Sequence, residues 1–186
     1  MKSLLSMLSV ALLSLSTIAF AQSDAQKLPS DSQKAFDKLK TLAGSWEGHV
    51  TTTPVQPEMG DGARVDISLR VTSRGNAMVH EMKAAGTADD PTRYDHPVTM
   101  FYLDSDRLLM THYCDAGNRP RMEGKISPGG KTVEFDFLDL SGSTQYGHMH
   151  HVVFTFIDAS HHLEEWTYMT PGDKPVRARL DLQRTK

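Results

Sequence analysis

From Ser45 to the C-terminus apolar and polar residues take turns along the chain, and turn-forming residues interrupt the alternation every eight to twelve positions. Successive side chains of an extended backbone point to opposite faces, so this period of two predicts strands with one apolar face each. Ten are expected: Ser45 to Thr53, Ala63 to Thr72, Ala77 to Lys83, Val98 to Leu103, Arg107 to Cys114, Arg119 to Ile126, Thr132 to Leu138, Gly147 to Ile157, His162 to Met169 and Val176 to Gln183. In the second, Val65, Ile67, Leu69 and Val71 alternate with Arg64, Asp66, Ser68 and Arg70. Punctuation such as Arg74-Gly75-Asn76, Asp104-Ser105-Asp106 and Pro128-Gly129-Gly130 joins neighbours as hairpins. An even run of antiparallel strands with short connections hides its edges by closing on itself. The expected fold is therefore all-β, a closed antiparallel up-and-down barrel of about ten strands, with an interior that side chains or one small ligand can fill.

One segment ahead of the strands has helical spacing. Phe36, Leu39 and Leu42 fall three apart, Asp31 or Ser32 can cap the start, and Gly44 ends the run. Further upstream, Lys2, an apolar run from Leu4 to Phe20 and the small residues Ala19 and Ala21 read as a secretory signal peptide cleaved after Ala21. The chain thus divides into a signal peptide (1–21), a polar spacer (22–30) and a single domain (31–186). The mature protein is expected to be secreted or periplasmic, without stable membrane insertion.

Charge narrows the partners. The net charge of −3 becomes −4 when Lys2 leaves with the leader, and no Lys/Arg run or basic stripe is present. Nucleic acid is therefore not an expected partner, and a small molecule is; the sequence leaves the oligomeric state open. The single cysteine, Cys114, cannot form an internal disulfide, so packing alone must hold the barrel.

All nine histidines lie beyond the leader. By parity His80 shares a face with Met78 and Met82, and His112 with Leu108, Met110 and Cys114. His148 and His150 share one with Val152, Phe154 and Phe156. If these faces all point inward, one cavity gathers His80, Met110, His112, Cys114, His148 and His150 as a ligand-binding set. Imidazole, thiolate and thioether groups suit copper, zinc or haem iron, and His112, His148 and His150 are the candidate metal ligands. Hydrogen-bonded core histidines are the competing reading. Arg119 and Arg121 share a face where the chain leaves the fifth strand, and guanidinium groups there could grip a carboxylate at the cavity mouth. Surface pairing with Asp115 or Glu123 competes with that role. Catalytic motifs fail. Gly129-Gly130-Lys131-Thr132 lacks the first glycine and the helix of a phosphate loop, no Gly-x-Ser-x-Gly elbow occurs, and Glu164 and Glu165 face opposite ways on one strand.

The segments LAGSWEG (42–48), GNAMVHEM (75–82), FYLDSDRLLMTHYCDAGNRPRM (101–122), VEFDFLDL (133–140), HMH (148–150) and EEWTY (164–168) add a family likeness. The first resembles the opening of calycin barrels such as lipocalins, fatty-acid-binding proteins and nitrobindin-like haem proteins. The full set resembles a family of uncharacterised exported barrel proteins. In calycins the tryptophan plugs one barrel end and an arginine of the last strand packs over it. The resemblance implies that structural role for Trp46 behind Gly44, with Arg177 and Arg179 as the arginines. The closed-barrel pattern, the Gly-x-Trp and the Phe, Met and Val faces together lead to the expectation of binding or carriage of a small apolar or amphipathic molecule in the interior. Haem or transition-metal binding through inward His, Met and Cys is the alternative. A small-molecule enzyme using His112 with Arg119 or Glu165 as acid and base is a second alternative, less favoured than binding.

Overall fold

A computed structural model describes residues 28 to 90 and 92 to 185. The expected signal peptide (1–21) and most of the expected spacer lie outside the described residues. The elements are α1 (Asp31–Lys40), β1 (Gly44–Thr53), β2 (Arg64–Thr72), β3 (Ala77–Ala84), β4 (Val98–Asp104), β5 (Arg107–Tyr113), β6 (Arg119–Ile126), β7 (Thr132–Ser141), β8 (His148–Phe156), β9 (His161–Thr170) and β10 (Lys174–Arg184). Each strand pairs with its sequence neighbours, and β1 pairs with β10, so the ten form a closed up-and-down antiparallel barrel, as the alternation predicts. Closure runs from Trp46 opposite Arg184 to Thr53 opposite Arg177.

The helix differs in its ends. Ser30, in an extended conformation, is the cap, and its Oγ accepts from the Gln33 amide at 3.1 Å. The helix stops at Lys40, and Gly44 instead opens β1 with a φ of +142° that other residues rarely adopt. The helix buries Ala35, Phe36 and Leu39 and contacts β4, β5 and β6 at one end of the barrel. Trp46, 1% exposed, seals that end, and its Nε1 donates to the Leu42 carbonyl at 2.8 Å.

The arginine over Trp46 is Arg184, not Arg177 or Arg179. Its guanidinium lies 4.1 Å from the indole centre and donates to the carbonyls of Thr41, Ala43 and Ala159. Arg177 and Arg179 are exposed, and Arg179 faces Glu165 at 3.5 Å. Register is the reason. Arg177 and Arg179 pair with Thr53 and Thr51, toward the far end of β1, whereas the strand continues past Gln183 to place Arg184 beside Trp46. Replacing Arg184 with Met should therefore cost about 1–2 kcal/mol through the lost cation–π contact and the lost hydrogen bonds to the three carbonyls, of which Ala43's is part-buried. Arg177→Met should stay within about 0.5 kcal/mol in the same denaturant titration.

The barrel centre is packed solid. Phe101, Phe135 and Phe154 are fully buried with ring centres 5.4 to 6.3 Å apart, in tilted and edge-on contacts. Leu108, Met110 and Met122 fill the spaces between them. Met110 is thus a core residue rather than a pocket wall.

Candidate functional site

The alternation on β9 turns His162, Glu164 and Trp166 inward while Glu165 and Thr167 face out. Glu164 is wholly buried and is the hub of a polar network. Its Oε2 accepts from Trp166 Nε1 at 2.9 Å and lies 3.0 Å from His80 Nε2, and its Oε1 lies 3.0 Å from His162 Nε2. An indole N–H can only donate, so an ionised, acceptor-only carboxylate satisfies all three contacts. Burial by itself pushes the Glu164 carboxyl up. Attraction to His80 and the hydrogen bonds from His162 and His80 outweigh it and hold the group well below the usual carboxylate range. His162 stands edge-on to Trp46 at 4.2 Å, which links the network to the plug.

His112 sits behind the same Trp166, with ring centres 5.6 Å apart, and its Nδ1 is 2.8 Å from Thr99 Oγ1. Burial, and then repulsion from His80, lower its pKa from 6.5 to about 3, so it is neutral at ordinary pH. His80 and His112 both point inward, as their parity predicts. They are 1% and 2% exposed, and they belong to the packed interior.

The other candidates are elsewhere. A register shift between Met149 and His151 makes His150 the extra residue of a β-bulge, so simple parity fails at the start of β8. His150 stacks on Phe137 with ring centres 5.0 Å apart and planes 18° apart. His148 lies 5.0 Å from Phe137 and 5.5 Å from His150. Burial and the neighbouring His150 lower the His148 pKa, against the opposing pull of Asp173. This cluster occupies the barrel end opposite the helix, near the β9–β10 turn. The expected set does not converge in one cavity, and the metal trio His112, His148 and His150 is not assembled. Among the described residues, the three groups that meet within ion-binding distance are instead Glu134, Asp136 and His151. They stand on the outer face, where His151 bridges both carboxylates and Lys125 pairs with Asp136.

Cys114 falls just past β5, half-buried, and burial raises its thiol pKa. Tyr168 is beside it; burial, then the proximity of Cys114, Asp115 and Asp95, pushes the phenol up to about 12, and its hydroxyl donates to the Tyr146 carbonyl at 2.6 Å. Arg119 and Arg121 point outward, because Pro120 and Met122 take the inward positions of β6. Arg121 is paired with Asp139, and Arg119 donates to Ser141 Oγ at 3.1 Å. Arg121 is thus held on the surface by Asp139 rather than by Asp115 or Glu123; Glu123 is held by Arg107. Nor do His112, Arg119 and Glu165 form an acid–base group, since the first is inside the barrel and the others are outside.

Parity reasoning missed Glu164, His162 and Trp166. The available signal was His162-x-Glu164-x-Trp166, which puts an imidazole, a carboxylate and an indole N–H on one strand face.

No family model matches the chain, and no curated protein matches it. Among the solved structures that share the fold are the following two. Rv2717c from M. tuberculosis superposes with a TM-score of 0.58 at 11% identity, covering 82% of this chain and 98% of that one. A protein with unknown function from the DUF3598 family of Nostoc punctiforme superposes with a TM-score of 0.50 at 8% identity, covering 79% of this chain and 49% of its own. At such identities the likeness is one of fold alone.

Proposed function

We propose that this chain is an exported, calycin-like binding protein that takes one small amphipathic molecule at the barrel end opposite the helix. The carrying observation is the set of partly exposed apolar side chains gathered at that end: the barrel centre is closed, while Phe137, Met149, Tyr168 and Ala178 stay partly exposed beside His148 and His150. Apolar side chains left open to water beside the imidazoles of His148 and His150 and the Tyr168 hydroxyl suit a ligand with an apolar body and a polar head. The packed centre supports a shallow seat rather than a molecule threaded through the barrel.

Native mass spectrometry of protein purified from its own host, followed by titration with an environment-sensitive apolar dye, tests this reading. One bound molecule per chain and saturable dye binding are expected. Met149→Arg, which places a charge in the seat, should weaken dye binding by roughly tenfold or more while the far-ultraviolet spectrum is unchanged. No bound molecule together with non-saturable dye uptake would refute it.

A further inference from the structure

We propose that His148 and His150 form a site for a borderline-soft divalent transition cation such as Zn²⁺ or Cu²⁺, a role distinct from seating an organic ligand. On a regular strand two residues apart, side chains of one face stand roughly 7 Å apart. The bulge at His150 alters that spacing and brings the two rings to 5.5 Å with their planes 72° apart. Two imidazoles that share one ion at metal–nitrogen distances of about 2.0–2.1 Å hold their ring centres roughly 5–6 Å apart, so the pair needs little rearrangement. Phe137 lies flat against His150 and touches His148 as well, which fixes both rings without using a nitrogen.

The nitrogens carry a second, independent observation. His150 Nδ1 is buried and has no hydrogen-bond partner. A buried polar atom without a partner is uncommon and calls for an occupant. Two imidazoles leave coordination positions for water or an incoming donor, which describes an open site rather than a closed structural one. The competing group on the outer face, Glu134, Asp136 and His151, already has its imidazole nitrogens and Asp136 engaged, with the Lys125 ammonium 2.7 Å from Asp136.

Calorimetric titration of the mature chain with Zn²⁺ and with Cu²⁺ at neutral pH tests the proposal, with Cu²⁺ spectra read for nitrogen coupling. One ion per chain and coupling to two nitrogens are expected. His148→Phe and His150→Phe keep a ring against Phe137 and remove the donors; each should weaken binding by roughly tenfold or more. His151→Ala should leave the affinity unchanged. Zinc-induced shifts of the His148 and His150 ring resonances in the unaltered protein give a readout that does not depend on any variant folding. Absence of stoichiometric binding overturns the proposal, as does binding lost in His151→Ala and kept in the two Phe variants.

Discussion

Glu164→Ala is expected to cost about 3–5 kcal/mol of unfolding free energy and to lower the melting temperature by roughly 10 °C or more. The carboxylate is 0% exposed and accepts from three donors on two strands, so its removal leaves the Trp166 indole and two imidazoles facing one another in a dry interior. Each stranded donor adds a desolvation penalty, and the space left by the side chain adds a cavity term. Glu165→Ala, one residue along on the outer face, should fall within about 0.5 kcal/mol. Urea unfolding followed by circular dichroism distinguishes the two. If Glu164→Ala were as stable as the parent, the ionised hub would not be what organises the interior. Linkage gives a second handle on the same group. Its folded pKa lies below the usual 4.5, so it adds stability above that pH and loses it as pH falls toward the folded value.

Acid should begin to destabilise the protein well above that range, because of His112. Its folded pKa, lowered from 6.5 to about 3, means that the unfolded chain binds a proton in this window and the folded chain does not. Stability should therefore fall as pH drops from about 6.5 to about 3, with a slope approaching 1.4 kcal/mol per pH unit from this group. His148, also lowered but half-exposed, adds a smaller slope of the same sign. His112→Phe keeps the ring against Trp166 and removes the titration. It should flatten the limb between pH 6.5 and 4.5, whatever it does to the absolute stability. Chemical denaturation at a series of pH values measures both chains, and an unchanged slope in the variant would assign the limb to other histidines.

The two networks explain why some of the candidate residues were legible and others were not. His80, Met110 and His112 lie in uninterrupted strands, where counting by twos gives the face. His148 and His150 lie on either side of a register shift that depends on how β9 pairs with β8, and no local pattern marks it. Glu164 was hidden by its own chemistry: a charged residue next to another, Glu165, reads as surface, and only the inward indole and imidazoles make its burial tolerable. Arg184 was passed over in favour of Arg177 and Arg179 because the predicted tenth strand stopped at Gln183, one residue short of the arginine that Trp46 meets.

By itself the sequence determined the ten strands, their hairpin order and the helix ahead of them, since alternation, turn residues and caps act over a few neighbouring positions. It also determined that Trp46 would follow a glycine at the junction of helix and first strand. The tertiary structure alone decided what the interior holds. Which donors surround a carboxylate, where a bulge turns an imidazole and which arginine reaches the plug depend on register between segments far apart in the chain, as the Arg184 contacts with Thr41 and Ala43 show at separations of 143 and 141. Close packing accepts one such arrangement and rejects its neighbours, and that choice is made in three dimensions.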